Sequence, residues 1–175
     1  MNNYKQIYLH LPSIVCSLML SMEGLFNFNQ IINYDNYYID TKQSIYYTDI
    51  FISYIIIEYL IYYILKEPIN LFTQHIHHIL YLVFLFYLKY NNHTMVFYVF
   101  FIDEIPTFIL MLGKTFKELR TDYGFIISFI ITRLVYHSYM VTKLFEDAPN
   151  IFYILFGLIT TIIHFYWYYL WLLKY

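Results

Sequence analysis

The sequence predicts an all-α polytopic membrane bundle of about six transmembrane helices, and three observations carry that prediction. Of 175 residues, 61% are hydrophobic and 13% charged, whereas an ordinary soluble domain has about 45–50% apolar and about 25% charged residues. Apolar runs of roughly 20 residues, long enough to cross a bilayer as a helix, recur along most of the chain. These runs are too continuously apolar for the in–out alternation of a membrane β-barrel, so the many Ile residues that would favour strands in water are read as helical in lipid. One compact bundle uses the whole of residues 1–175 and leaves no second domain.

Six spans are predicted near 11–29, 46–65, 69–90, 93–112, 123–143 and 150–173. The first resembles a signal peptide, with Lys5 ahead of an apolar stretch, but no small-residue cleavage site follows and it is expected to be retained. Asn- and Asp-rich residues 30–44 form the longest loop before the second span. Pro68 suits the first turn of the third, and Asn91-Asn92 ends it. Gly113 is expected to cap the fourth span, and Glu146-Asp147-Ala148-Pro149 separates the last two. No internal repeat is evident.

A formal net charge of −2, without a basic cluster, excludes nucleic acid as a partner, because phosphate neutralisation needs grouped Lys and Arg. Cys16 is the only cysteine, which rules out an intramolecular disulfide and a Cys-based zinc site. Short-loop Lys and Arg set orientation. Lys5, Lys66, Lys114, Lys117, Arg120 and Lys174 fall on one side and Lys42, Lys89 and Lys143 on the other, so both termini are expected in the cytosol.

The spans carry Glu23, Glu58, His75, His77, His78, Asp103, Glu104, Arg133, His137 and His164. An ionised group at the bilayer centre costs about 2.5–3.5 kcal/mol, so such residues pair with one another or face a cavity. Counting about 1.5 Å per residue from the cytosolic ends places His77, Glu104, Glu58, His164, Arg133 and Glu23 about 11–18 Å deep, within one layer. His75 and His78 share a helical face, as do Arg133 and His137, and His164 and Tyr168. A layer of this kind can transfer protons, hold a metal, hold a polar ligand head, or join helices by hydrogen bonds worth about 0.6–2 kcal/mol each. Taken singly, Glu23, Glu58 and His137 are read as structural. The His77–His78 pair with Glu104 is read as the functional centre.

His77-His78-Ile79-Leu80, followed one helix hairpin later by Asp103-Glu104-Ile105-Pro106-Thr107-Phe108, resembles the TLC-domain family of ceramide synthases and their lipid-handling relatives. Arg133 in Phe129-Ile130-Ile131-Thr132-Arg133 looks like that family's arginine in its penultimate helix, and His164-Phe165-Tyr166-Trp167-Tyr168 is similar to its closing aromatic pattern. The resemblance implies a helical bundle with a lipid-accessible polar cavity in an endoplasmic-reticulum-like or other internal membrane. It implies membrane lipids as partners and acyl-CoA as co-substrate, with no bound cofactor. His77 or His78 would be general base or acyl acceptor, Asp103 or Glu104 would orient that imidazole, and Arg133, His164 and Trp167 would bind ligand. The Glu104-Ile105-Pro106-Thr107 stretch looks more like the Glu-x-Ser-Thr pattern of the family's non-synthase branch than like the His-Asp step of the synthases.

Four functions follow as expectations: an N-acyltransferase using His77, His78 and Glu104; a non-enzymatic lipid-binding protein that alters membrane composition; a His-ligated metal hydroxylase built on His75-x-His77-His78; and a transporter. The remaining histidines do not form the several clusters a di-iron hydroxylase needs. The sequence also shows none of the paired broken helices of a transporter. The lipid readings therefore lead.

Overall fold

A computed structural model describes residues 3–68 and 75–173. The described residues form helices joined by turns, and four helices are long and apolar enough to cross a membrane: Lys5–Phe26, Lys42–Leu65, Asp122–Glu146 and Ile151–Leu172. This is an integral multi-pass membrane protein. In order, the helices are α1 (Asn3–Phe26), α2 (Phe28–Ile32), α3 (Lys42–Leu65), α4 (His77–Asn91), α5 (Met95–Tyr98), α6 (Ile105–Thr115), α7 (Asp122–Phe129), α8 (His137–Glu146) and α9 (Ile151–Leu172). A wide π turn, Ile130–Tyr136, runs α7 into α8.

Local chemistry sets several of these ends. Thr41 and Ser44 form a reciprocal capping box at the start of α3, which satisfies two of the orphan donors of a helix N-terminus. Thr121 accepts from Gly124 N ahead of α7, and Asn150 accepts from Phe152 N ahead of α9. Asn92 closes α4 in the left-handed region at φ 59°, a conformation Asn tolerates better than most residues. The predicted breaks at Asn91-Asn92 and at residues 146–149 are therefore where the helices stop.

Two sequence expectations are corrected. The predicted span 93–112 is not one helix: it is α5, a 3-10 turn at Phe101–Glu104, and α6. Pro106 lies in the first turn of α6, where its missing N–H costs no hydrogen bond and its ring starts a new helix. Moreover, Met95, Val96, Phe97 and Tyr98 of α5 are all buried, so this segment is apolar because it fills the core and not because it faces lipid. Gly113 is no cap either. It lies inside α6, which continues to Thr115, and a Cβ there would meet Arg120 Cα at 3.1 Å. The predicted first turn behind Pro68 falls on residues 69–74, outside the described residues.

Outer and core faces separate on α1. Leu11, Val15, Leu18, Met22 and Leu25 of α1 are exposed at alternating steps of four and three residues, which makes an apolar outer stripe suited to acyl chains. The opposite face carries Ser13, Cys16, Ser17 and Leu20, all buried. At Gly24, α1 comes so close to the Phe101–Glu104 turn that a Cβ would lie 2.9 Å from Ile102 Cγ1.

Cross-helix contacts mark two ends of the bundle. Lys5 pairs with Glu67, and His10 Nδ1 lies 3.2 Å from Thr115 Oγ1. At the other end Lys89 pairs with Asp49, Thr94 N donates to Asp40 at 2.6 Å, and Lys143 Nζ donates to Ile32 O at 2.9 Å. The long helices thus run alternately up and down, as short connections between packed helices require.

Candidate functional site

A cavity of about 360 Å³ lies in the half of the bundle that holds the Lys5–Glu67 end. His77, His78, Arg133 and Trp167 all border it. They come from α4, the π turn and α9, so four residues singled out by sequence are brought together from three separate segments. Leu110, Met111, Phe125, Ile126 and Phe129 supply apolar wall, and the exposed Lys114 adds a cation.

Polar and ring contacts run through this wall as one connected series. Ser13 Oγ donates to Glu58 Oε1 at 2.8 Å, and Glu58 Oε2 lies 3.1 Å from His78 Nδ1. That second contact has ion-pair distance. The His78 and His77 rings are 5.5 Å apart, His77 meets Trp167 edge-to-face at 5.1 Å, and the Arg133 guanidinium stands 5.5 Å from the same indole. Arg133 Nη2 reaches Glu104 Oε1 at 3.9 Å and donates to Thr107 Oγ1 at 2.7 Å, while Arg133 Nε donates to Asp103 O at 2.9 Å. Five of the six residues assigned to one depth by sequence lie along this series or border it. Glu23 does not: it accepts from Tyr98 OH.

Asp103 and Glu104 are each paired with a residue other than His77 or His78. Glu104 is the counter-ion of Arg133, and Asp103 turns away to His137, whose Nδ1 lies 2.6 Å from Asp103 Oδ2. The carboxylate beside the histidine pair is Glu58. His164 is buried against His137, with ring centroids 4.5 Å apart, and touches Trp167 at 5.9 Å. It therefore stands behind the cavity wall.

Glu58, given a structural role from sequence, is the carboxylate that stands beside the candidate histidine pair. Its signal was depth alone: it counts to the same level as His77, but nothing in the sequence says which helix α3 faces. His75 stays outside the cavity and contacts Tyr59, whose hydroxyl lies 3.1 Å from His75 Nδ1. Compared with family models, curated proteins and solved structures, the chain matches none of them.

Proposed function

We propose that this protein binds a membrane lipid in the His77–Arg133 cavity and acts on it as an acyl-CoA-dependent N-acyltransferase of the TLC-domain type. The observation that carries the reading is the convergence of His77, His78, Arg133 and Trp167 on one cavity that also has apolar wall. Such a site suits an amphipathic ligand, with its chain against Leu110, Met111 and Phe129 and its polar end toward the imidazoles and guanidinium. On this reading α4 and the α5–α6 segment also lie within the bilayer, which makes about six passes around a lipid-accessible cavity.

In the reaction, the half-buried His77 takes the proton from an attacking amine. The amide C–N bond forms as the thioester C–S bond breaks, and the proton leaves on the CoA thiol. Glu58 holds the His78 ring beside it, as a carboxylate orients a catalytic imidazole. Arg133 and Lys114 offer positive charge to phosphate or carboxylate groups of the incoming ligand. Purified protein supplied with acyl-CoA and a long-chain base should form the acylated product, and the double variant His77→Gln/His78→Gln should lower the rate by about 10²–10⁴-fold. No product under conditions where a known synthase works would end this reading.

One observation favours a second reading, a lipid-binding protein that alters membrane composition without catalysis: Asp103 and Glu104 are engaged with His137 and Arg133 rather than with the histidine pair. In that case His77→Gln/His78→Gln keeps its effect on membrane composition in cells.

The cavity end gathers Lys5, Lys66, Lys114, Lys117 and Arg120, the larger share of positive charge, so we place it and both termini on the cytosolic side of an internal membrane. Acyl-CoA would then enter from that side. Tags at both termini should be cut by protease added outside sealed, right-side-out microsomes; protected tags would reverse the orientation.

A further inference from the structure

Behind the cavity wall, Asp103, His137 and His164 bring three ligand atoms within 4.8 Å of one another. All three residues are buried, at 6%, 2% and 2% exposure. They arrive from three elements: the Phe101–Glu104 turn, the start of α8 just after the π turn, and the middle of α9. π turns inside helices are frequent at functional sites, and this one precedes His137 directly.

The Thr160 hydroxyl lies within reach of Phe156 O at 3.1 Å and Gly157 O at 3.0 Å, and 3.1 Å from His137 Nε2. It anchors that side of the ring, while His137 Nδ1 on the other side lies 2.6 Å from Asp103 Oδ2. Two atoms of the group are left over. Asp103 Oδ1 and His164 Nδ1 are buried and make no hydrogen bond with any described residue. The His164 ring also stands against the Arg133 carbonyl. Buried polar atoms left unpaired call for a partner.

The geometry points to a divalent metal site of the first transition row, with Asp103, His137 and His164 as ligands. Two imidazoles and one carboxylate form a donor set that suits zinc with an open fourth position, or non-haem iron. Metal–nitrogen bonds of about 2.0–2.1 Å put ligand atoms about 3.3 Å apart, which small side-chain shifts reach from the present spacing. Thr160 would serve as the hydroxyl behind the metal-bearing histidine, fixing its ring by accepting from Nε2. Arg133 nearby does not forbid a cation, because Glu104 offsets its charge at 3.9 Å.

The site is independent of the acyl-transfer reading, and its test keeps the two apart. The full chain in detergent is stripped with a chelator, reloaded with zinc(II), and its metal content measured after desalting; cobalt(II) is used in parallel for its visible spectrum. We expect about one zinc per chain and a cobalt spectrum of low coordination number. His164→Gln and Asp103→Asn should lose stoichiometric uptake, whereas His77→Gln should keep it. Thr160→Val should bind about 10–100-fold more weakly. If the wild-type protein takes up no stoichiometric zinc or cobalt, or if His164→Gln and Asp103→Asn bind as tightly as wild type, the proposal is overturned. The group is then an imidazolium–carboxylate pair packed beside a second ring. Because wild type alone can give that negative result, a variant that fails to fold does not rescue the idea.

Discussion

Arg133→Leu is expected to destabilise the protein by about 3–5 kcal/mol, the range for removing one partner of a buried ion pair. Arg133 is 8% exposed, and its guanidinium serves several groups together: Glu104, the Asp103 carbonyl and the Thr107 hydroxyl. Leucine satisfies none of them and leaves the Glu104 carboxylate without its counter-charge. Unfolding of the purified protein in mixed micelles, followed by far-UV circular dichroism, measures the loss. The double variant Arg133→Leu/Glu104→Leu should recover a large part of it, since the uncompensated charge is then gone. A single-variant loss no greater than that of a surface pair, about 1 kcal/mol or less, would show that Arg133 does not organise the site.

Glu58→Gln carries the second large effect, on turnover. The amide keeps the shape of the side chain and an oxygen for Ser13, but it removes the charge that stands 3.1 Å from His78 Nδ1. If the carboxylate orients the histidine pair during acyl transfer, kcat falls by about 10²-fold or more while KM for acyl-CoA stays nearly constant, the pattern of an interaction made chiefly in the transition state. Glu104→Gln makes the useful comparison. It should raise KM more than it lowers kcat, because Glu104 touches Arg133 and not the histidines. Equal effects of the two variants on kcat would return the orienting role to the acidic stretch that the sequence resemblance named.

Much of the candidate site is legible in the sequence. His77, His78, Arg133 and Trp167 were singled out by residue type and position, and all four border one cavity. Intramembrane polar groups are few and costly, so they announce themselves. Pairing was not readable. Asp103 and Glu104 are adjacent in a 3-10 turn, and the turn sends one toward His137 and the other toward Arg133. Predicting that split requires knowing that α6 begins after Glu104 and that a π turn interrupts the helix running from α7 into α8. Neither feature has a sequence mark beyond Pro106.

The sequence by itself determined that this is an α-helical, multi-pass membrane protein, because composition and the length of apolar runs decide how a chain meets a bilayer. It also determined several helix ends, since Asn92, Asn150, Thr41 and Thr121 act through bonds to their own neighbours. Only the tertiary structure decided that 93–112 is broken and that its first part, Met95–Tyr98, fills the core. A buried helix and a lipid-facing one are equally apolar, and only packing tells them apart. It alone decided that Glu58 belongs with His78, and Asp103 with His137 and His164. Such contacts are made between helices far apart in the chain, and helical periodicity fixes which residues share a face without fixing which helix that face meets.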